Sequence, residues 1–228
     1  MTALTSALEI TKLAHEMQVD EAELAFLSTT SPADLRDLRA IVSHSMFSRN
    51  ESRVKGLAAV SKKLPAAVTA KITEIAMGPM LSARVAAVMD PADAAKLAGH
   101  LKPEFLAQLS VHLDPSRVEA IIARLDRSLV VDVGRRLLAD GHVLTLARFT
   151  GVVGPETSLQ VMDGASGEEI LQVALFLDDT SVLDPIIAGL SDETLAEVVA
   201  ATGDQGEAAD ALLATLSEDS RARIASLA

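Results

Sequence analysis

A short helical unit repeats every 12 residues between Met77 and Arg148, and this repeat limits the possible folds more than any other feature. Its third column is proline in four consecutive units, and aspartate precedes that proline at Asp90 and Asp114. An aspartate N-cap followed by proline in the first turn is a strong helix start. The repeat therefore predicts one helix of about ten residues in each unit. The first column is apolar throughout, at Met77, Met89, Leu101, Leu113, Leu125 and Leu137.

The fifth column of the repeat alternates in character, from Leu81 to Asp93 to Phe105 to Arg117. This alternation indicates a larger unit of two helices, about 24 residues long, in which odd and even helices have different environments. Helices this short are marginal alone and need tertiary packing. We therefore predict an all-α fold, a right-handed superhelical solenoid of about twelve short helices in 12-residue units paired into 24-residue helical hairpins.

Three parts are predicted within one continuous domain. They are N-terminal helices with a basic segment (1–63), the helical repeat region (64–150) and acidic C-terminal helices (151–228). Ile72 and Ile75 are expected on the buried side of the first repeat helix.

Helix boundaries are marked by capping residues and by glycine. Asp20 with Glu23, and Ser166 with Glu169, have the spacing of a capping box. A turn or hinge is expected where the repeat ends, at the sequence FTGVVGP, residues 149–155.

Two runs carry a resemblance to a known family. The runs MDPADAAKLAGHLKPEFLAQLSVHLDPSRVEAIIARLD and LDPIIAGLSDETLAEVVA resemble the N-terminal cytosolic helical domain of MgtE-type magnesium transporters. The resemblance covers residues 64–150 closely and 180–228 more loosely. It implies the superhelical fold which that domain shares with the C-terminal part of the flagellar switch protein FliG. It does not imply transport, since membrane helices and paired nucleotide-type domains are absent, and no magnesium-binding positions carry over.

Composition indicates a folded, water-soluble chain. Apolar residues make up 49% of the 228 residues, and there is no cysteine, tryptophan or tyrosine. The absence of cysteine excludes disulfides and thiolate metal sites. The longest stretch without a charged residue, residues 24–33, is half of what a membrane span needs. The N-terminus lacks the basic region before an apolar run that is typical of a signal peptide. We predict a cytoplasmic protein with no membrane span.

Charge is distributed unevenly along the chain. Residues 36–84 contain nine basic and three acidic side chains, whereas residues 150–228 contain two basic and fifteen acidic ones. In the simplest explanation, these charged side chains lie on solvated helix faces. The alternatives are docking of an acidic protein partner or pairing of the two ends in a homodimer. Nucleic acid is not expected, because the whole chain is acidic and offers no aromatic stacking platform. The predicted partner-binding cations are Arg49, Arg53, Lys55, Lys62 and Lys63.

No motif indicates catalysis or a cofactor, so we predict a protein that is not an enzyme. His100 and His112 are equivalent in successive units and could lie close together, but a metal site would need further ligands, and a role as helix-end cations, taken by arginine in the next units, already explains them. The carboxylates of Asp178, Asp179 and Asp184 could attract a divalent cation, although capping also accounts for them. No metal ligand is therefore assigned.

Three functions remain after these exclusions. The first is a cytosolic protein-interaction or regulatory module that uses the basic segment or a concave groove. The second is a carrier or sensor of a small apolar ligand, with a cavity inside the solenoid. The third is a divalent-cation (magnesium) sensing module.

Overall fold

The computed structural model describes residues 2–48, 64–203 and 206–227, and all regular structure in these ranges is helical. The fifteen α-helices described are α1 (Thr2–Met17), α2 (Pro32–Ser48), α3 (Ala66–Ile72), α4 (Gly78–Ala86), α5 (Pro91–Ala98), α6 (Pro103–Ser110), α7 (Pro115–Ile122), α8 (Arg127–Ala139), α9 (Val143–Val153), α10 (Pro155–Met162), α11 (Gly167–Leu175), α12 (Leu183–Gly189), α13 (Asp192–Ala200), α14 (Gly206–Leu213) and α15 (Glu218–Ala225). Two 3₁₀ segments (Glu21–Leu27 and Thr180–Val182) and a π-helical segment (Thr73–Met77) complete the set.

The predicted all-α class is confirmed, while the predicted number of about twelve helices is too low. The repeat starts its helices as expected, because the side chains of Asp90 and Asp114 accept hydrogen bonds from backbone N–H groups of the first turn. Both capping boxes are present, at Asp20 and at Ser166. The first of them opens a 3₁₀ segment, which adds to the count of short elements.

From α3 onwards, each helix packs against the helix two places along the chain. One rank is formed by α3, α5, α7, α9, α11 and α13, and a second rank by α4, α6, α8, α10 and α12. Odd and even helices therefore have different neighbours, as the alternating fifth column suggests. Helices α14 and α15 close the C-terminal end by packing on α11, α12 and α13.

Residues 2–48, which we call the N-terminal unit, have an apolar cluster of their own. Its fully buried members include Leu13 and Leu35, and every described residue packed in this cluster lies between Ile10 and Val42. The unit contacts both ranks through polar side chains, which are described below, and α1 also contacts α14. Glu9 and Lys12 of α1 are also buried, which the sequence pattern did not indicate.

The expected burial of Ile72 and Ile75 is wrong. They are exposed to 46% and 73%, because the face of the helical segment 66–77 that carries them has no neighbouring helix among the described residues. Ile41 of α2 is likewise 65% exposed. The turn expected within residues 149–155 is confirmed at Gly154, whose φ of 80° favours glycine, while Gly151 lies inside α9.

Across the described ranges, no helix is both long enough and apolar enough to cross a membrane.

Candidate functional site

Six large apolar side chains are exposed over 18 residues at the start of the repeat, and we call them the apolar stripe. Val68, Ile72 and Ile75 lie at helical spacing on one face of the segment 66–77, which Leu64 precedes. The stripe consists of Leu64, Val68, Ile72, Ile75, Met80 and Leu81, each 38–73% exposed. Single exposed apolar residues are ordinary, but six within one short segment indicate a surface for a partner.

The position of the stripe strengthens this interpretation. Among the described residues, helix α3 is the first member of one rank and α4 the first of the other, so the stripe lies where both ranks begin. Its most exposed residue, Ile75, lies in the π-helical segment Thr73–Met77. Short π segments inside helices occur frequently at functional sites. The amphipathic pattern of α3 was visible in the sequence, but it does not say which side of the helix lacks a neighbour.

The predicted partner-binding cations lie outside the described residues. They are Arg49, Arg53, Lys55, Lys62 and Lys63. One exposed cation of the described chain, Lys71, lies beside Ile72 on α3. Glu74, the acidic residue of this segment, is occupied, since its Oε1 accepts a hydrogen bond of 3.0 Å from the backbone N–H of Lys102.

A network of charged side chains joins the N-terminal unit to the end of α11. Lys12 Nζ lies 3.2 Å from Glu9 Oε1 and 3.0 Å from Asp178 Oδ1, and it also donates to the carbonyl of Leu177. Arg39 holds Asp178 with both terminal nitrogens, at 2.7 and 3.1 Å. Glu9 Oε2 is buried without a hydrogen bond, 3.5 Å from Arg39 Nη2. Charged groups buried in this way are stable only when each is paired.

The titration of the network follows from these contacts. Burial alone would raise the pKa of Asp178, but the hydrogen bond from Arg39 and the charge of Lys12 lower it from 3.8 to about 2. Burial would similarly lower the pKa of Arg39, but its hydrogen bond to Asp178 and the charges of Asp178 and Glu9 raise it. Both groups therefore stay ionised at neutral pH, and the network is built to hold the N-terminal unit in place.

A second polar contact lies further along the same interface. Arg148 of α9 forms a largely buried ion pair with Glu16, at 2.7 Å. His15 faces this pair, and burial, followed by the charge of Arg148, lowers its pKa. His112 lies 3.0 Å from the side-chain amide of Gln18, and burial together with Arg84 lowers its pKa as well. Both imidazoles are thus kept neutral where the unit docks.

The acidic residues considered for cation binding have structural partners. Asp178 forms the ion pairs just described, and Asp179 caps the 3₁₀ segment by accepting from Ser181 N–H at 2.9 Å. Asp184 accepts hydrogen bonds from the backbone and hydroxyl of Ser217, at 3.1 and 2.8 Å. Within the described ranges, no three histidine, aspartate or glutamate side chains are grouped so that they could hold a metal ion.

Two apolar cavities lie between the helices. The smaller, about 150 Å³, lies between the two ranks and is lined by side chains such as Leu97, Leu109 and Phe149. The larger, about 430 Å³, lies among the C-terminal helices from α11 to α15 and touches the end of α9. Ligand cavities usually occupy about 300–1,000 Å³, so only the larger has the usual volume of a small-molecule site.

Comparison with protein-family models, with curated proteins and with solved structures finds no match to this chain. The resemblance to the MgtE-type helical domain therefore stays a prediction.

Proposed function

We propose that this chain is a non-enzymatic helical-repeat module that binds a protein partner through the apolar stripe. In this proposal, the two ranks form a right-handed superhelical solenoid of the kind that the MgtE-type resemblance implies. The observation that carries the proposal is the stripe itself, because six large apolar side chains are exposed where the two described ranks begin. The proposed setting is the cytoplasm.

The two ends of the stack differ in a way that supports this function. Helical-repeat proteins need terminal repeats with a polar outer face to remain soluble. The C-terminal end meets this need, because α15 exposes Glu218, Asp219 and Arg221. In the described C-terminal helices, no large apolar side chain is as exposed as those of the stripe. Among the described parts of the stack the stripe is the exception, so this surface is suited to a partner that packs on it.

The chemistry of the stripe specifies the partner as an amphipathic helix with acidic residues beside its apolar face. Apolar side chains at helical spacing pack against another helix with the same periodicity. Lys71 adds a positive charge beside Ile72, and Lys62 and Lys63 precede Leu64 in the sequence. A second copy of this chain, contacting through its acidic C-terminal part, would form the alternative homodimer.

A synthetic helix with a leucine stripe flanked by glutamate tests the proposal by fluorescence anisotropy. We expect it to bind at least tenfold more tightly than the same peptide flanked by lysine. Substitution Ile75→Glu should weaken binding by about 10–100-fold, because burying an isoleucine side chain contributes about 1.5–3 kcal/mol.

Ile41→Glu is the matched control, since Ile41 is a similarly exposed isoleucine on the N-terminal unit. Equal binding by the Ile75→Glu and Ile41→Glu variants would refute the stripe as the binding surface.

A second candidate function, a carrier or sensor of a small apolar ligand, is favoured by the larger cavity. Magnesium sensing gains no such support, because the acidic residues proposed for it are occupied as caps and ion-pair partners.

A further inference from the structure

The larger cavity, about 430 Å³, is lined almost entirely by aliphatic side chains and opens to solvent at its rim. Its walls come from five consecutive helices, α11 to α15, and several of the lining residues are among the most buried of the chain. Representative lining residues are Ile170, Leu171, Ile186, Leu195, Leu212 and Ile224.

Water is a poor occupant of this cavity. A buried water molecule needs two to four polar partners. The hydroxyl groups of Thr150 and Thr202 line the cavity, but they donate to the carbonyls of Leu146 and Val199 in their own helices, at 2.9 and 2.7 Å. The charged lining residues Asp210 and Arg221 are exposed, at the rim.

Solvent in an apolar cavity of this size is also unfavourable. Apolar surface that stays in contact with water lacks the stabilisation that its burial would contribute. An apolar ligand that covers the aliphatic lining would therefore stabilise the fold.

We infer that this cavity binds a neutral aliphatic chain. Its volume accommodates about a dozen methylene groups, if each takes up roughly the 30 Å³ of a water molecule in the liquid. The lack of unsatisfied polar groups in the lining favours a ligand without a buried polar function.

The surrounding charge disfavours an anionic head group. The rim carries one acidic and one basic side chain, Asp210 and Arg221, and so supplies no net positive charge, while residues 150–228 as a whole carry fifteen acidic and two basic side chains. The chemical class is therefore a long-chain alcohol, a neutral ester or a hydrocarbon, rather than a fatty acid. This inference deepens the second candidate function and does not depend on the apolar stripe.

Fluorescence of N-phenyl-1-naphthylamine, a neutral apolar probe, tests the inference on the whole chain. We expect saturable binding to one site per molecule, and displacement by dodecanol at a concentration at least tenfold lower than by dodecanoate. This ranking is measured on the unmodified protein and needs no variant.

Substitution Ala209→Phe places a large side chain in the cavity and should abolish probe binding. Ala98→Phe is the matched control, because Ala98 is a similarly buried alanine that lines the smaller cavity. Ala174→Leu, at a less buried lining position, replaces the first variant if circular dichroism shows that Ala209→Phe does not fold.

The inference is overturned if the folded protein does not bind the probe, because the cavity is then closed. It is equally overturned if dodecanoate competes as well as dodecanol, or if Ala98→Phe abolishes binding while the cavity-filling variant retains it. The anisotropy assay with the acidic helix is independent of these outcomes, so failure of either proposal can be recognised separately.

Discussion

Replacing Asp178 by asparagine tests whether the charged network holds the N-terminal unit on the repeat. The substitution removes the charge that Lys12 and Arg39 both contact, while it preserves the shape of the side chain. Lowering a pKa from 3.8 to about 2 corresponds to about 2.5 kcal/mol in favour of the folded state. Because 41% of the side chain is exposed, solvent screening reduces this to about 1–1.5 kcal/mol.

For a protein of this size, each kcal/mol changes the melting temperature by about 2–4 °C. We therefore expect Asp178→Asn to melt about 3–5 °C below the unmodified protein at pH 7, as measured by circular dichroism. The folded pKa lies below the unfolded one, so the stabilisation is complete above about pH 4 and is lost as the pH falls from about 4 to 2. The difference in melting temperature should narrow accordingly at pH 3.

The neighbouring substitution Asp179→Asn is the control. It removes the same charge one residue away, from a fully exposed side chain whose capping role asparagine can keep. Equal melting temperatures for the Asp178 and Asp179 variants at pH 7 would show that the network does not stabilise the fold. If the melting temperature of Asp178→Asn stays below that of the unmodified protein by the same amount down to pH 3, the cause of the difference is not electrostatic.

Three further substitutions probe other parts of the structure. His15→Gln should flatten the fall in melting temperature between pH 7.5 and 5.5, because burial lowers the pKa of His15 below 6.5 and its protonation in acid favours the unfolded chain. Gly167→Ala should lower the free energy of unfolding in urea by more than about 2 kcal/mol, since its Cβ would lie 2.6 Å from the backbone nitrogen of Val198. Ser166→Ala should cost about 1 kcal/mol in the same assay through loss of the capping box, and Ser166→Asn should cost less.

Each of these predictions has its own control or contradicting result. An unchanged pH profile for His15→Gln would mean that another group governs the acid response. Gly99→Ala serves as the control for Gly167→Ala, because its Cβ would meet no atom closer than 3.7 Å and the change should be neutral or slightly stabilising. A Ser166→Ala variant as stable as the unmodified chain would show that the capping box contributes nothing to α11.

Local signals in the sequence predicted the helices well and their arrangement only in part. The N-caps at Asp90 and Asp114 are confirmed because capping depends on residues within one turn. Burial of Ile72 was predicted wrongly, because periodicity identifies an apolar face but not whether another helix covers it. The pairing of Lys12 with Asp178 joins residues 166 positions apart, which a single sequence cannot reveal. The larger cavity depends on how five helices fit together, and no local pattern encodes that fit.

The distance between Lys12 and Asp178 along the chain also has a consequence for synthesis of the protein. At about 5–20 residues per second, the ribosome adds Asp178 roughly 8–33 s after Lys12. During this interval the N-terminal unit exists without its docking partner. Ion pairs of Glu9 can form before Asp178 is synthesised, because Glu9 contacts Lys12, Arg36 and Arg39 within the unit itself. The nascent helices can thus keep the buried carboxylate of Glu9 paired with Lys12 until the rest of the chain emerges.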